Sequence, residues 1–282
     1  MSQFSANLTL MFNEVDFMDR FKLASQNGFK GVEYLFPYDY SADDISQELS
    51  ENGLKQILFD LPAGYWGSGD RGIAVQPDRV GEFQDSVGKA IDYADALNCE
   101  RITCLAGIPD PNTQADLNRR TLVDNLKFAA KSLNKKGITL LIEALNTIDV
   151  PGFYLTGTDQ AVQIISDVSE SNLKLQYDVY HMQIMEGDLI RTIVDNFNII
   201  KHFQIADNPG RHEPGTGEIN YKNVFNKINE LGYDGWIGCE YNPLGDTVEG
   251  LDWLAVAERF ATTMRTAQGR GTNLMFPFKS DA

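Results

Sequence analysis

The stretch TLLIEALN, residues Thr139–Asn146, decides how the rest of the chain is interpreted. Four apolar or small residues lead into Glu143, and apolar residues follow it. A run of this kind indicates a strand that is covered on both faces, as in a parallel sheet. A carboxylate near the end of such a strand is costly unless a charge partner or a metal ion neutralises it. Glu143 by itself is also compatible with an ordinary acid that reaches water or caps the next helix.

The same strand pattern occurs eight times, and a helical pattern follows each strand. The predicted strands are Asn7–Phe12, Gly31–Leu35, Leu54–Phe59, Arg101–Ala106, Thr139–Asn146, Leu173–Tyr180, Ile200–Ala206 and Gly235–Tyr241. This alternation in 282 residues is typical of an α/β protein with the (β/α)8 TIM barrel fold. A doubly wound open sheet is the alternative, but no GxGxxG follows the first strand. Since no break in composition marks a second domain, we predict a single barrel domain over residues 1–266 and a tail of unknown role over residues 267–282.

Composition and charge narrow the class of partner. The hydrophobic content of 43% and charged content of 23% are those of a soluble globular protein. No run approaches the roughly 18 to 20 apolar residues of a membrane helix, and the start lacks a secretory signal. Three cysteines without CxxC spacing indicate reduced core thiols in a cytoplasmic protein. The formal charge of −16 argues against nucleic acid or an anionic membrane as partner, although a bound cation and an arginine would let one cleft accept a small anion.

Oxygen-bearing side chains lie near the ends of the last four predicted strands. They are Glu143, Asp178, Gln204 and Glu240. Consecutive strands are neighbours in a closed barrel, and the active sites of such barrels lie where the strands end, so these side chains can converge. Three carboxylates close together could not all ionise without a cation. An oxygen-only set suits Mg²⁺ or Mn²⁺, whereas zinc would usually recruit His or Cys. A coincidence of acids at strand ends is the competing interpretation.

Other polar and aromatic residues lie in loops at the same end of the predicted barrel. His181 follows Asp178 by three residues and either holds a substrate oxygen or plays a structural part. Arg211, in the loop after the seventh strand, either clamps a substrate carboxylate with two hydrogen bonds or is a solvated surface residue. Tyr65 and Trp66, after the third strand, either wall a small ligand or anchor their loop.

Several segments together resemble a known family. They are ANLTLMF, GVEYLFPYDY, LNCERITCLAG, LIEALNTIDVPGFYLT, HFQIADNPGRHEPGTGEINY and GYDGWIGCEY. The chain resembles the hydroxypyruvate isomerase family of the xylose isomerase-like TIM barrels, which also includes 2-oxo-tetronate isomerases and ketose 3-epimerases. The resemblance extends over nearly the whole chain, to about Phe260, and the combination of segments is specific to the hydroxypyruvate isomerase branch.

The resemblance implies a metal site and a catalytic pair. A divalent metal ion, with Mg²⁺ favoured and Mn²⁺ as the alternative, would be held by Glu143, Asp178, Gln204 and Glu240. Glu143 and Glu240 would also act as proton donor and acceptor. Many related epimerases have a histidine where this chain has Gln204, and this departure favours the hydroxypyruvate isomerase branch.

The resemblance also implies contacts to the substrate. His181 and Arg211 match substrate contacts of the related epimerases, and Asp149 matches a further acidic contact there. The implied enzyme is an intramolecular oxidoreductase of the aldose–ketose isomerase type. It would interconvert hydroxypyruvate and tartronate semialdehyde, or shift the carbonyl of a 2-oxo-tetronate. The partner is then a small hydroxy-oxo acid, and a homo-oligomer is compatible with the sequence.

Three other functions are alternatives to this one. The nearest is a ketose 3-epimerase, in which the same pair returns the proton from the opposite face. A metal-dependent endonuclease would need more histidines and a basic groove, whereas this chain has three histidines and a charge of −16. The third is a barrel that binds a sugar or an acid without catalysis.

Overall fold

Eight parallel strands form a closed barrel in the computed structural model, which describes residues 3–255 and 257. Each strand pairs with the next along the chain, and the last pairs with the first. The expected TIM barrel is thereby confirmed. The strands are β1 Gln3–Asn7, β2 Gly31–Glu33, β3 Lys55–Asp60, β4 Arg101–Cys104, β5 Thr139–Glu143, β6 Leu173–Asp178, β7 Ile200–Ile205 and β8 Trp236–Cys239.

Helices connect the strands and pack along the barrel. Within the described part of the chain they are α1 Phe17–Gln26, α2 Ala42–Glu51, α3 Val80–Leu97, α4 Ala115–Asn134, α5 Thr158–Val168, α6 Val179–Met185, α7 Leu189–Asn196 and α8 Tyr221–Glu230. Helix α3 buries Phe83, Val87, Ala90 and Ala94, whose spacing of three or four residues places them on one face. Ser41 caps α2, because its side chain accepts a hydrogen bond from the Asp44 amide at 3.1 Å.

The first strand lies earlier than the sequence pattern predicts. The sequence predicts a strand over Asn7–Phe12, whereas β1 ends at Asn7 and the apolar residues after it form a buried turn. The hydrophobic pattern placed the strand too late, because β1 carries polar side chains into the barrel interior. Ser5 donates to Glu33 at 2.7 Å and Asn7 donates to Glu240 at 3.1 Å, so these polar groups are satisfied by other strands.

A short helix, α6, begins directly where β6 ends, although the sixth strand was predicted to continue to Tyr180. Asp178 is both the last residue of β6 and the N-cap of α6. Its Oδ1 atom accepts from the amides of Tyr180 at 2.7 Å and His181 at 3.3 Å. The cap therefore fixes the direction of the Asp178 carboxylate at the barrel end.

Other predictions concern the cysteines and the chain end. Cys99, Cys104 and Cys239 are free and buried, as expected. The end of the predicted barrel domain, residues 258–266, and the predicted tail over residues 267–282 lie outside the described residues.

A chain of hydrogen bonds crosses the barrel interior among fully buried side chains. Glu33 of β2 contacts His202 Nε2 at 3.0 Å and accepts from Gln204 Nε2 at 2.8 Å. Gln204 Oε1 in turn accepts from Gln176 Nε2 at 2.5 Å, and Gln176 accepts from Thr103 at 2.5 Å. Breaking any of these contacts would leave a further buried polar group without a partner, which holds the four side chains that surround Gln204 in place.

Candidate active site

Four buried side chains converge where β5, β6 and β8 end. They are Glu143, Asp178, His181 and Glu240, and one potential ligand atom from each lies within 4.8 Å of the others. Glu143 and Asp178 are the last residues of their strands, and Glu240 directly follows β8. The structure thus brings together the three carboxylates that the sequence pattern singled out.

Burial and mutual repulsion raise the pKa values of these carboxylates. The pKa of Glu143 lies well above its ordinary value because of burial and the charges of Glu240 and Asp178. Burial raises the pKa of Glu240 to about 7, although Arg211 opposes the shift. Burial likewise raises the pKa of Asp178 to about 6, against the opposing effects of Arg211 and the amides of α6. The cluster therefore favours either a bound proton or a bound cation near neutral pH.

Two carboxylate oxygens in the cluster have no hydrogen-bond partner among the described residues. They are Glu143 Oε1 and Asp178 Oδ2, and both are buried. Buried carboxylate oxygens are costly when unpaired, and hard oxygen atoms are the ligands that Mg²⁺ and Mn²⁺ prefer. The chemistry of this donor set therefore fits a divalent metal ion.

Gln204 lies beside the cluster but turns its amide nitrogen toward it. Nε2 donates to Glu33 Oε1 at 2.8 Å and lies 3.2 Å from Glu240 Oε1. The amide oxygen, which would be the metal-binding atom, accepts from Gln176 instead. Gln204 can therefore offer that oxygen to a metal ion only if its side chain turns.

His181 presents a hydrogen-bond donor to the site. Its Nδ1 atom accepts from the backbone amide of Asn146 at 3.2 Å, so the ring proton of the neutral imidazole is on Nε2. Burial and the charge of Arg211 lower the pKa of His181 well below its ordinary value, which keeps the ring neutral. Nε2 lies 3.7 Å from Asp178 Oδ2. A protonated Nε2 cannot bind a metal ion but can hold a substrate oxygen.

Arg211 is ion-paired with one of the predicted catalytic glutamates. Its Nη2 atom donates to Glu240 Oε2 at 2.5 Å, and its guanidinium lies 5.4 Å from the ring centroid of Tyr180. The Nε atom of Arg211 is buried and has no partner in the described part of the chain. Arg211 therefore positions Glu240 and keeps one donor available.

Asp149 is exposed and is not among the residues that line the cavity described next. Its Oδ2 atom accepts from Tyr180 Oη at 2.9 Å and from Asn146 Nδ2 at 3.0 Å. Asn146 contacts the His181 ring, and Tyr180 is the residue before His181 in the chain. Asp149 therefore holds the two residues that position His181. Its role as a substrate contact stays a prediction.

A cavity of about 230 Å³ opens beside the cluster. Glu143, His181, Arg211 and Glu240 line it, and Trp66 contributes to its wall, whereas Tyr65 is 74% exposed. The volume is roughly eight times that of one water molecule in the liquid. It therefore suits a ligand of three or four carbons.

Three further residues of the site escaped the sequence-based prediction. Glu33 is fully buried under the cluster, and Asp60 and Arg71 line the cavity. Asp60 ends β3, so the rule that singled out the later strand ends would have found it. Arg71 lies in a long loop, where neither periodicity nor spacing marks a side chain.

The eight-stranded barrel with an acidic cluster at its strand ends defines the class of (β/α)8 enzymes. The sequence model of the xylose isomerase-like TIM barrel family matches residues 21–256, and the chain belongs to this family. The chain is 51% identical over 254 residues to hydroxypyruvate isomerase of Escherichia coli, covering 90% of this chain and 98% of that one. It is 44% identical to 2-oxo-tetronate isomerase of Cupriavidus necator, with the same coverage.

A solved structure from Brucella melitensis, described as AP endonuclease, family 2, superimposes with a TM-score of 0.89. It shares 45% identity, and the match covers 91% of this chain and 99% of that one. The curated relatives confirm the expectation of an enzyme of the aldose–ketose isomerase type. Within the described residues, no helix is long and apolar enough to cross a membrane.

Proposed function

We propose that this protein interconverts hydroxypyruvate and tartronate semialdehyde, or shifts the carbonyl of a 2-oxo-tetronate, by proton transfer between Glu143 and Glu240. The observation that carries the proposal is that these two buried glutamates line one small cavity. The names of the relatives at 51% and 44% identity support the same reaction class. The three buried, free cysteines support a reducing, cytoplasmic location.

The chemistry requires one ionised and one protonated carboxyl group. One glutamate removes a proton from C3 of hydroxypyruvate, and the other returns a proton to C2. The hydroxyl proton moves from the C3 oxygen to the C2 oxygen, so the composition of the molecule does not change. Raised pKa values allow one member of such a pair to hold a proton near neutral pH. The Nε2–H group of His181 can donate to a substrate oxygen while charge develops on it.

A divalent metal ion, with Mg²⁺ favoured, fits the oxygens of Glu143, Asp178 and Glu240. Gln204 would complete the set through its amide oxygen after its side chain turns. A bound cation would supply electrostatic stabilisation of the negative charge on the enediolate oxygens. Arg211, through its contact with Glu240 Oε2, keeps that carboxylate in one orientation.

The two alternative enzyme activities, ketose 3-epimerase and endonuclease, would require different substrates. A ketose 3-epimerase would use the same two glutamates on an uncharged sugar. An endonuclease would have to admit DNA, whereas the volume of this cavity is about 230 Å³. This volume and the two arginines in the lining, Arg71 and Arg211, favour a small hydroxy-oxo acid.

The test is proton exchange in D₂O, followed by NMR. Full-length protein is incubated with hydroxypyruvate, a 2-oxo-tetronate or a ketose, with and without Mg²⁺ or Mn²⁺. We expect deuterium at C2 of the aldehyde product and at C3 of recovered hydroxypyruvate, at a rate that the metal increases. Inversion at C3 of a ketose without turnover of either oxo acid would favour the epimerase. Absence of exchange into every substrate would refute the isomerase.

A further inference from the structure

Two guanidinium groups line the cavity, and their electrostatic surroundings differ. Arg211 is paired with Glu240 and lies close enough to Asp178 and Glu143 for their charges to raise its pKa, although burial lowers it. Arg71 lines the same cavity, and within the described residues it forms no ion pair. Its Nη1 atom instead donates to the backbone oxygens of Asp70 at 2.7 Å and Trp66 at 3.2 Å. Arg71 therefore retains an unneutralised charge at the cavity.

The loop that carries Arg71 is fixed on both sides of this residue. Asp70 Oδ2 accepts from the Tyr65 amide at 2.7 Å and from Arg79 Nη1 at 2.8 Å. Gly72, with φ of +107°, packs directly on the backbone of Leu105, where any Cβ atom would overlap the carbonyl oxygen. These contacts hold the backbone of Arg71 against the segment that follows β4.

The Arg71 guanidinium lies over the ring of Trp66. The guanidinium carbon lies 4.1 Å from the Trp66 ring centroid, and Trp66 packs on Phe36 with centroids 5.0 Å apart. A guanidinium held over an aromatic ring and by two backbone oxygens loses little freedom when it binds a ligand, and its planar fork matches a carboxylate. Arg71 is therefore arranged as a preformed carboxylate receptor.

We propose that Arg71 binds the carboxylate of the substrate and so selects hydroxy-oxo acids over uncharged sugars. The inference rests on the proposed function and adds the residue that determines specificity. A carboxylate placed beside Arg211 would lie close to the ionisable oxygens of Glu240, which repel it. Binding at Arg71 would pair the substrate charge with a guanidinium that no described carboxylate neutralises, and would leave C2 and C3 for the glutamates. Asp60, the other acid in the lining, adds little negative charge, because burial and Glu240 raise its pKa well above the ordinary value.

Calorimetric titration of the full-length, Mg²⁺-supplemented protein tests this assignment. The ligands are hydroxypyruvate and hydroxypyruvamide, which replaces the carboxylate by an uncharged amide. The variants are Arg71→Gln, Arg71→Lys and the matched control Arg191→Gln, which removes the same charge from an arginine that is 76% exposed on the surface. The melting temperature of each variant is measured alongside to confirm folding.

Arg71→Gln should raise the Kd for hydroxypyruvate by about tenfold to a hundredfold, the range expected for a lost charge-assisted hydrogen bond. Its Kd for hydroxypyruvamide should change by less than about threefold, because that ligand carries no charge. Arg71→Lys keeps the charge but loses the planar fork of the guanidinium, so its Kd for hydroxypyruvate should rise less than that of Arg71→Gln. Arg191→Gln should bind hydroxypyruvate with the wild-type Kd.

Three results would overturn the proposal. They are wild-type affinity for hydroxypyruvate in folded Arg71→Gln, equal losses for both ligands, and no binding of hydroxypyruvate to the wild-type protein. The proposed reaction fails in a different way. If hydroxypyruvate binds in an Arg71-dependent manner but neither isomerises nor exchanges protons, the carboxylate site stands and the isomerase does not.

Discussion

The side-chain nitrogen of Gln204 donates a hydrogen bond to Glu33 Oε1 at 2.8 Å inside the barrel. Burial raises the pKa of Glu33, but the contacts with His202 and Gln204 outweigh it, so that the pKa lies below its ordinary value. If the Gln204 amide turned over, its oxygen would face this ionised carboxylate and be repelled. Glu33 therefore determines which end of Gln204 faces Glu240 and the candidate metal site.

Replacing Gln204 by leucine tests what this orientation means for metal binding. The Gln204 oxygen must leave Gln176 before it can bind a cation, so we expect the Kd for Mn²⁺ to rise by no more than about tenfold. Asp178→Asn removes one of three carboxylates and should raise the Kd by about a hundredfold. Titration of the metal-free protein with Mn²⁺ measures both values. Equal losses in the two variants would show that Gln204 binds the ion as strongly as Asp178 does.

Glu143→Gln and Glu240→Gln should each lower kcat by about a thousandfold, because either change removes a proton donor or acceptor. Folding should persist, since each replacement keeps the size of the side chain and removes a buried ionisable group. Isomerase assays with hydroxypyruvate and circular dichroism measure the two effects. Glu230→Gln, at an exposed position of α8, is the matched control and should retain full activity. Substantial activity in both active-site variants would contradict the two-glutamate mechanism.

The contribution of Glu240 and Asp178 to the stability of the metal-free protein should decrease as the pH rises through about 5 to 7. Burial raises the folded-state pKa of Glu240 from 4.5 to about 7 and that of Asp178 from 3.8 to about 6. Between these values the folded state binds more protons than the unfolded state. The free energy of unfolding contributed by these groups therefore decreases with rising pH and levels off once both are ionised.

Added Mg²⁺ should change this dependence, because the cation binds the ionised carboxylates. It should raise the melting temperature more at about pH 8 than at about pH 5.5. Thermal unfolding with EDTA and with Mg²⁺ at both values measures the two effects. Glu240→Gln should show a weaker pH dependence without metal. If the melting temperature of the metal-free wild type rose with pH and that of this variant did not, Glu240 would stabilise the protein more at high pH, which is the opposite of the expected effect.

The barrel and the acids at its last strand ends could be predicted from the sequence because both are local properties. A strand residue keeps its place in the register, so Glu143, Asp178 and Glu240 meet once consecutive strands pair. The sequence pattern did not predict that β6 ends at Asp178 and that α6 begins there. The cap at Asp178 consists of contacts to two backbone amides, which leave no mark in the sequence pattern.

The support of the site could not be predicted in the same way. Glu33 lies 169 residues from His202 and 28 residues from Ser5, and only the closed barrel brings the three together. Within GVEYL, Glu33 has no local feature that distinguishes a buried anion from a solvated one. Arg71 escaped for a related reason, because its orientation depends on Trp66 and on backbone contacts of an irregular loop.

Gly238→Ala tests how rigidly the buried anion is held. A Cβ atom at Gly238 would overlap Glu33 Oε1, and Glu33 cannot withdraw without losing His202 and Gln204. We expect the free energy of unfolding, measured with urea, to fall by about 1–3 kcal/mol. Activity should also fall, because Gln204 and Glu240 must shift with the anion. Gly245→Ala, where an added Cβ meets open space, is the matched control and should change stability by less than about 0.5 kcal/mol. Equal free energies of unfolding for the two variants would show that the hydrogen bonds around Glu33 rearrange at little cost.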